Sequence, residues 1–593
     1  MKQQWSLSFL FFCLSLPIFA QQTAVEWFEK GYAEQKPEKR IEYYNKAIQL
    51  DSTLIEAYYN RGNAKLDLKQ QEAAILDFNK TIELNANHYF AFANRALAKT
   101  ELGRYQEAIN DFDRTLELNR KESGPYAYFG RGLAKFNLEQ YSEAIIDFKE
   151  GLAVYPNDSE AYYYIGFSRF NLGQFREAIS AFDQAILLNP NTSYLYYMRG
   201  TSRQNIGHYK ESIRDFDSTI ALDSTYSDAY LNRGVSQHEL GKFQLAIQDY
   251  SKSIEFNPYI PEPYSNRGLS KQSLGQHEEA ILDFDQAIKM DANYADAYFN
   301  KGVSRYDLGQ LSEAMKDYSI ALSLNPYAVD AYYNRGGCKL DLGRTQEAIL
   351  DYNKALEIAP NYVDCYVNRG LAYIYLAKYE KSIADFDKAL ELKPQLTEGY
   401  FNRGLANYYL GNYQRSIQDY DRTIEFDPHT ADTYYNRGLS KFCLKQNVEA
   451  IADFDKTIEL DTNFIDALTY RGLAKIDIGK TQEAIADFNK ALSKNANHSY
   501  SYLGRGFAYW QLEKHKEALS DYDRGLELTK IQGIELDLSY STIYYERGLI
   551  HKHFGKYKAA IKDFEKAIEL YPLNRDAQIQ LMELNKRKEL FKN

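Results

Sequence analysis

Thirteen arginines in this chain stand sixteen residues ahead of an aspartate. Such pairs can bind anions, orient carboxylates or assist proton transfer. Arg369 with Asp385, Arg403 with Asp419 and Arg437 with Asp453 are examples. Catalysis seldom needs so many identical sites, and the chain holds its own comparison. Where the arginine becomes Ile165 the acid becomes Ala181, and where it becomes Lys301 the acid Asp317 stays. A cation and an acid that change together predict structural ion pairs between two helices.

The other reactive side chains offer little. His551 and His553 are two residues apart, so on a helix they point in different directions and lack the i, i+4 spacing of a metal pair. No glycine-rich phosphate loop, metal-binding cysteine pair or nucleophile elbow is present. Paired carboxylates are abundant, but they recur at fixed positions, as a solvated or ion-paired face would. The expectation is no enzyme: no catalytic residue, no metal and no cofactor.

The elements that position these pairs are clearest at Thr397–Thr430, TEGYFNRGLANYYLGNYQRSIQDYDRTIEFDPHT. Tyr400, Arg403, Gly404, Ala406 and Tyr408 form a helical stripe that halts at Gly411, a residue suited to a left-handed cap. Tyr413 to Phe426 places Ser416, Ile417, Tyr420, Thr423 and Ile424 at helical spacing and stops before Asp427-Pro428. Large Tyr400 and Tyr420 alternate with small Gly404, Ser416 and Thr423, which lets two helices approach closely. Steps of thirty-four residues from Gly404 reach Gly370, Gly336, Gly302 and Gly268 in one direction and Gly438, Gly472 and Gly506 in the other. A fixed period of this length predicts a solenoid.

The pattern aromatic-x-x-x-Gly, then Gly-x-Tyr/Phe-x-x-Ala/Ser, then aromatic-x-x-Ala/Thr and Pro resembles the tetratricopeptide repeat. The resemblance implies an all-α fold, a tandem helix-turn-helix solenoid forming a right-handed superhelix. Residues 1–20 read as a signal peptide, 21–54 as a degenerate first repeat and amino-terminal cap, 55–574 as fifteen tandem repeats and 575–593 as a carboxyl-terminal capping helix. Ile579, Leu581, Met582 and Leu584 are the apolar residues of that last helix. Two interruptions break the period. A modest loop is expected near Asn119 to Gly124, and a longer second helix with a wider surface loop between Leu528 and Ser541.

Lys2, the apolar run Leu7–Leu16, Pro17 and Ala20 before Gln21 predict an exported protein, periplasmic or secreted, cleaved after Ala20. The apolar run is too short for a membrane span. Cys338, Cys365 and Cys443 remain after cleavage, an odd number that argues against a disulfide framework. The formal charge is −11 with no basic stripe, which disfavours nucleic acid. Most of the fifty-three tyrosines fall at packing positions.

Ligands of tetratricopeptide arrays lie along the concave surface of the first helices, and the resemblance implies the same surface here. On it stand Asn232, Asn266, Asn300, Asn334, Asn368, Asn402 and Asn436, each just before the arginine position. This ladder resembles that in the repeat region of O-linked N-acetylglucosamine transferase, which holds extended peptide. The position loses asparagine at Tyr470, Gly504 and Glu546. Four residues ahead of the ladder run Asp228, Glu262, Asp296, Asp330, Asp364, Glu398 and Asp432, a rim opposite in sign to a carboxylate clamp. The expected function is therefore a scaffold that binds protein or extended peptide. Self-association into an envelope or secreted assembly is the alternative.

Overall fold

Turn-forming acids and prolines punctuate the chain, and helices fill the intervals. The computed structural model describes residues 23–537 and 539–590, so the signal reading at 1–20 lies outside the described residues. Among the described residues there are helices and no strand. They divide into two compact units, Met1–Ala292 and Asn293–Asn593.

In the second unit, the helices Thr397–Tyr409 and Tyr413–Phe426 show how one repeat is built. The first is helix A and the second helix B, terms that serve for every repeat. Helix A ends at Gly411, whose φ of +81° suits a residue without a Cβ. Helix B ends where Pro428 follows Asp427. The Asp427 carboxylate accepts from the His429 N–H at 3.1 Å and from the Thr430 hydroxyl at 2.6 Å, holding the chain in a turn. Between the helices, Tyr420 is fully buried against Gly404. In the repeat at 329–358 the fit is tighter: a Cβ on Gly336 would lie 2.7 Å from the buried Tyr352 ring. The aromatic ring of helix B thus lies on the bare backbone of helix A, and burial of each ring stabilises the pair by roughly 2 kcal/mol.

The first unit repeats this packing. Gly234 of the helix Ser227–Glu239 lies under Tyr250 of the helix Phe243–Phe256. At its amino end, the helices Ala24–Ala33 and Pro37–Leu50 pack Gly31 against Tyr44, and Thr23 with Glu26 closes a capping box. The loop expected near 119–124 is corrected. Helix runs from Tyr105 to Asn137 with only Asn119 outside helical geometry. The Asn119 side chain accepts from the Glu122 N–H at 3.2 Å and so caps a new helix. The two extra residues become added helical turn, which keeps backbone groups paired where a loop would leave them to water. Tyr89 donates to Glu122 at 2.5 Å and ties this turn down.

Near the carboxyl end of the second unit, helix B at His515–Ile531 is seventeen residues long where Tyr413–Phe426 has fourteen. Gly533 at φ +66° then turns the chain toward the helix Ser539–His553. The last helix, Arg575–Leu590, buries Ala577 and Leu584 against Phe564 and Ala567, with Leu581 beside them. Ile579 and Met582 are exposed. Positions 577, 581 and 584 share one helical stripe, and 579 and 582 fall off it.

Candidate functional site

Arg403 links its own helix to two others. Its Nη2 donates to Asp419 Oδ1 at 2.6 Å and its Nε to the same carboxylate at 3.1 and 3.2 Å, while its Nη1 donates to Asp387 of the preceding helix B at 2.6 Å. The ring of Tyr400 lies 5.4 Å from the guanidinium. Arg369 holds Asp385 at 2.6 and 2.8 Å and reaches back to Asn353. Arg437 holds Asp453 through Nη2 and Nε and reaches back to Asp421. In many repeats a second cation four residues on, such as Lys339 or Lys441, joins the same aspartate at 2.7 Å. Asn407 takes that place beside Asp419 at 3.1 Å. Burial pushes the Asp419 carboxyl above its ordinary value, and Arg403 pulls it back. The backward contact was not anticipated from sequence. Its signal was a polar residue, Asp, Asn or Ser, two positions after most of the pairing aspartates, as at Asp387, Asn353 and Ser319.

The ladder asparagines are half-buried, and Asn402 is buried. In the first unit the Asn232 amide donates to the Tyr197 hydroxyl at 3.2 Å and to the Asp228 carbonyl at 2.9 Å. In the second, Asn368 donates to the Tyr333 hydroxyl at 3.0 Å and Asn436 to the Asp432 carbonyl at 2.8 Å. For Asn232 and Asn368 a tyrosine thirty-five residues earlier thus occupies part of the amide. Phe299 and Val367 stand at the corresponding places for Asn334 and Asn402 and have no hydroxyl to offer. The carboxylates four residues ahead of the ladder are all exposed.

Beyond Asn436 the same face changes character. A cavity of about 500 Å³ opens among Tyr435, Tyr470, Leu503, Phe507, Tyr540 and Glu546, with Asp466 and Tyr500 also lining it. Gly504 leaves room for packing that no asparagine could allow, since a Cβ there would meet Phe488 at 2.6 Å. Tyr540, only 2% exposed, follows the long connection and forms one wall. Glu546 is 7% exposed and accepts from the Tyr522 hydroxyl, and burial holds its carboxyl up to about 7. Sequence reasoning registered Tyr470, Gly504 and Glu546 only as losses from the ladder. Their neighbourhood needed tertiary packing to appear.

One tetratricopeptide repeat model matches residues 159–192, 227–259, 295–327, 329–362, 363–396 and 397–430. Further models of the same repeat match 55–88, 94–159, 272–309 and 498–572. The chain carries tandem tetratricopeptide repeats. Proteins built from tetratricopeptide repeats are generally interaction scaffolds. No curated protein matches the chain. Among solved structures, MamA is 25% identical with a TM-score of 0.28, covering 29% of this chain and 95% of its own. A tetratricopeptide repeat protein from Parabacteroides merdae is 25% identical with a TM-score of 0.33, covering 42% and 98%. The Cut9–Hcn1 assembly gives 16% identity and a TM-score of 0.36, covering 82% and 95%.

Within the tetratricopeptide array, one polar group imitates a nucleophilic triad. His498 lies 3.1 Å from Asp466 and 2.8 Å from the Ser501 hydroxyl. Ser501 is fully buried and shares its hydroxyl with Thr469 at 2.7 Å, so a substrate cannot reach it. The group joins neighbouring tetratricopeptide repeats. Among the described residues no cluster could hold a metal ion and no helix is long and apolar enough to cross a membrane. Cys338 and Cys365 are buried free thiols and Cys443 is an exposed one.

Proposed function

We propose that this protein is an exported, non-enzymatic scaffold that binds an extended segment of another protein along the helix A face. The observation that carries this reading is the amide run of the second unit, Asn300, Asn334, Asn368, Asn402 and Asn436, held at one repeat position beside exposed carboxylates. An amide offers a donor and an acceptor, matching the acceptor and donor of a passing peptide backbone. The exposed acidic rim favours encounter with a neutral or basic segment and disfavours nucleic acid. Export rests on the apolar run and Ala20 at the amino end, with delivery to a periplasm or to the medium.

Each amide contact is worth about 0.5–1.5 kcal/mol, so affinity comes from several repeats acting together. Replacing Asn300, Asn334, Asn368 and Asn402 together by alanine is expected to leave helicity and melting nearly intact. Capture of partner from the exported fraction is expected to weaken by well over about tenfold. Retention of partner by the quadruple variant would place binding elsewhere. Size that rises with concentration, with no partner captured, would favour self-association instead.

A further inference from the structure

The cavity at the carboxyl end of the second unit has a composition found nowhere on the ladder. Its lining includes five aromatic rings, Tyr435, Tyr470, Tyr500, Phe507 and Tyr540, and two carboxylates, Asp466 and Glu546, but no lysine or arginine. Elsewhere in this chain buried acids are matched to cations within the fold, as Asp419 is to Arg403 and Asp563 to Arg547. Glu546 instead receives only the Tyr522 hydroxyl on its Oε2, which orients the carboxyl in the cavity wall. Tyr540 is almost fully buried in the same wall, its hydroxyl beside those of Thr529 and Tyr500. A carboxylate in an apolar wall is costly unless something polar or cationic meets it.

We propose that this cavity holds the side chain of an arginine or lysine from the partner segment, with its stem against the aromatic walls and its charged head at Glu546. The inference rests on the reading that the face binds extended peptide, and adds what that peptide must carry. Three features favour a cationic group that is also long and apolar. Electron-rich ring faces attract a cation. An otherwise unmatched carboxylate gains a charge-assisted hydrogen bond. The aliphatic stem covers apolar surface that a small inorganic cation would leave wet. An acidic or phosphorylated side chain would instead meet two carboxylates of like sign. A volume of about 500 Å³ takes one such side chain with its flanking backbone and lies in the range of ligand pockets. The break in the amide ladder follows: from Tyr470 onward the face gives up backbone contacts for one side-chain anchor.

The test uses the full mature chain and a labelled Gly/Ser peptide with one central arginine. Counterparts carry citrulline, leucine or glutamate at that place, and N-acetyl-arginine amide serves as a competitor without a peptide backbone to span the ladder. The arginine peptide is expected to bind at least about tenfold more tightly than the citrulline or leucine peptide. Glu546→Gln, which keeps an acceptor for Tyr522, and Tyr470→Asn, which restores the residue of other repeats, are each expected to erase that preference without lowering helicity. Binding should strengthen as pH rises through the Glu546 range of about 7. Equal binding of the arginine and leucine peptides, an unchanged preference in Glu546→Gln, or no binding of any probe would each overturn the inference. If N-acetyl-arginine amide competes and the quadruple asparagine variant still binds the arginine peptide, the pocket stands and the ladder reading fails. If the quadruple variant loses the peptide while Glu546→Gln keeps its preference for arginine over citrulline unchanged, the pocket fails and the ladder stands.

Discussion

Arg403 donates backward to Asp387, 2.6 Å away in the preceding helix B, while the rest of its guanidinium holds Asp419 in its own repeat. One side chain therefore closes a repeat and joins it to its neighbour. The two contacts differ in weight: the side chain of Asp419 is 6% exposed and that of Asp387 is 56% exposed.

Arg403→Ala strands a buried carboxylate and is expected to destabilise by about 3–5 kcal/mol. Asp387→Ala removes a solvated partner and is expected to change stability by about 1 kcal/mol or less. The double variant Arg403→Ile with Asp419→Ala copies the Ile165/Ala181 repeat and should recover much of the loss. Hydrogen exchange in the helices Thr397–Tyr409 and Tyr413–Phe426 would report each change locally. A double-mutant cycle without coupling between Arg403 and Asp419 would contradict the assignment.

From the second helix pair onward the turn after helix A has positive φ, and most copies place glycine there; Ala377, at φ +52°, is one of several that do not. A Cβ in this region is strained by roughly 1–2 kcal/mol. Ala377→Gly is expected to stabilise by about 0.5–1 kcal/mol after the added freedom of the unfolded chain is subtracted. Denaturant midpoints of the two proteins would show it.

Gly336→Ala should have the opposite sign. The new methyl would approach Tyr352 to 2.7 Å, and that ring is fully buried with no room to retreat. Overpacking of this kind costs about 1–3 kcal/mol. Gly337 has open space, so Gly337→Ala is the matched control and should be neutral or stabilising through helix propensity. Thermal melting of the pair separates crowding from propensity.

Burial raises the Glu546 carboxyl to about 7 from an ordinary value of 4.5, so the folded chain binds this proton more tightly than the unfolded chain. The resulting stabilisation is fully present below 4.5 and is lost as pH rises through about 7. Its size is about 3 kcal/mol. Tyr522 from the preceding helix B, Tyr435, Tyr470, Tyr500, Tyr540 and Asp466 around the cavity, and His498 beside Asp466 are the titratable groups near it. Glu546→Gln should flatten this part of the pH profile, read as exchange protection in the helix Ser539–His553 from pH about 5 to about 8. An equally steep profile in the variant would assign the titration to another group.

The helix pairs were legible because their signals are local. Gly411 and Asp427-Pro428 end helices through backbone preferences that hold in any context, and the Gly404/Tyr420 match of small to large recurs with the period. Local signals misled where packing could redirect them. The extra residues at 119–124 continue as helix because Asn119 can cap it.

The repeat period, the helix boundaries within Thr397–Thr430 and the sixteen-residue spacing of Arg403 and Asp419 were therefore determined by the sequence alone. Each depends on residues within one helical hairpin. The tertiary structure alone decided that Arg403 also reaches Asp387, that Tyr333 occupies part of the Asn368 amide, and that Tyr470, Tyr540 and Glu546 enclose one cavity. Those relations depend on the rotation of each repeat against the next, a rigid-body quantity set by many weak contacts at once and written in no single stretch of residues.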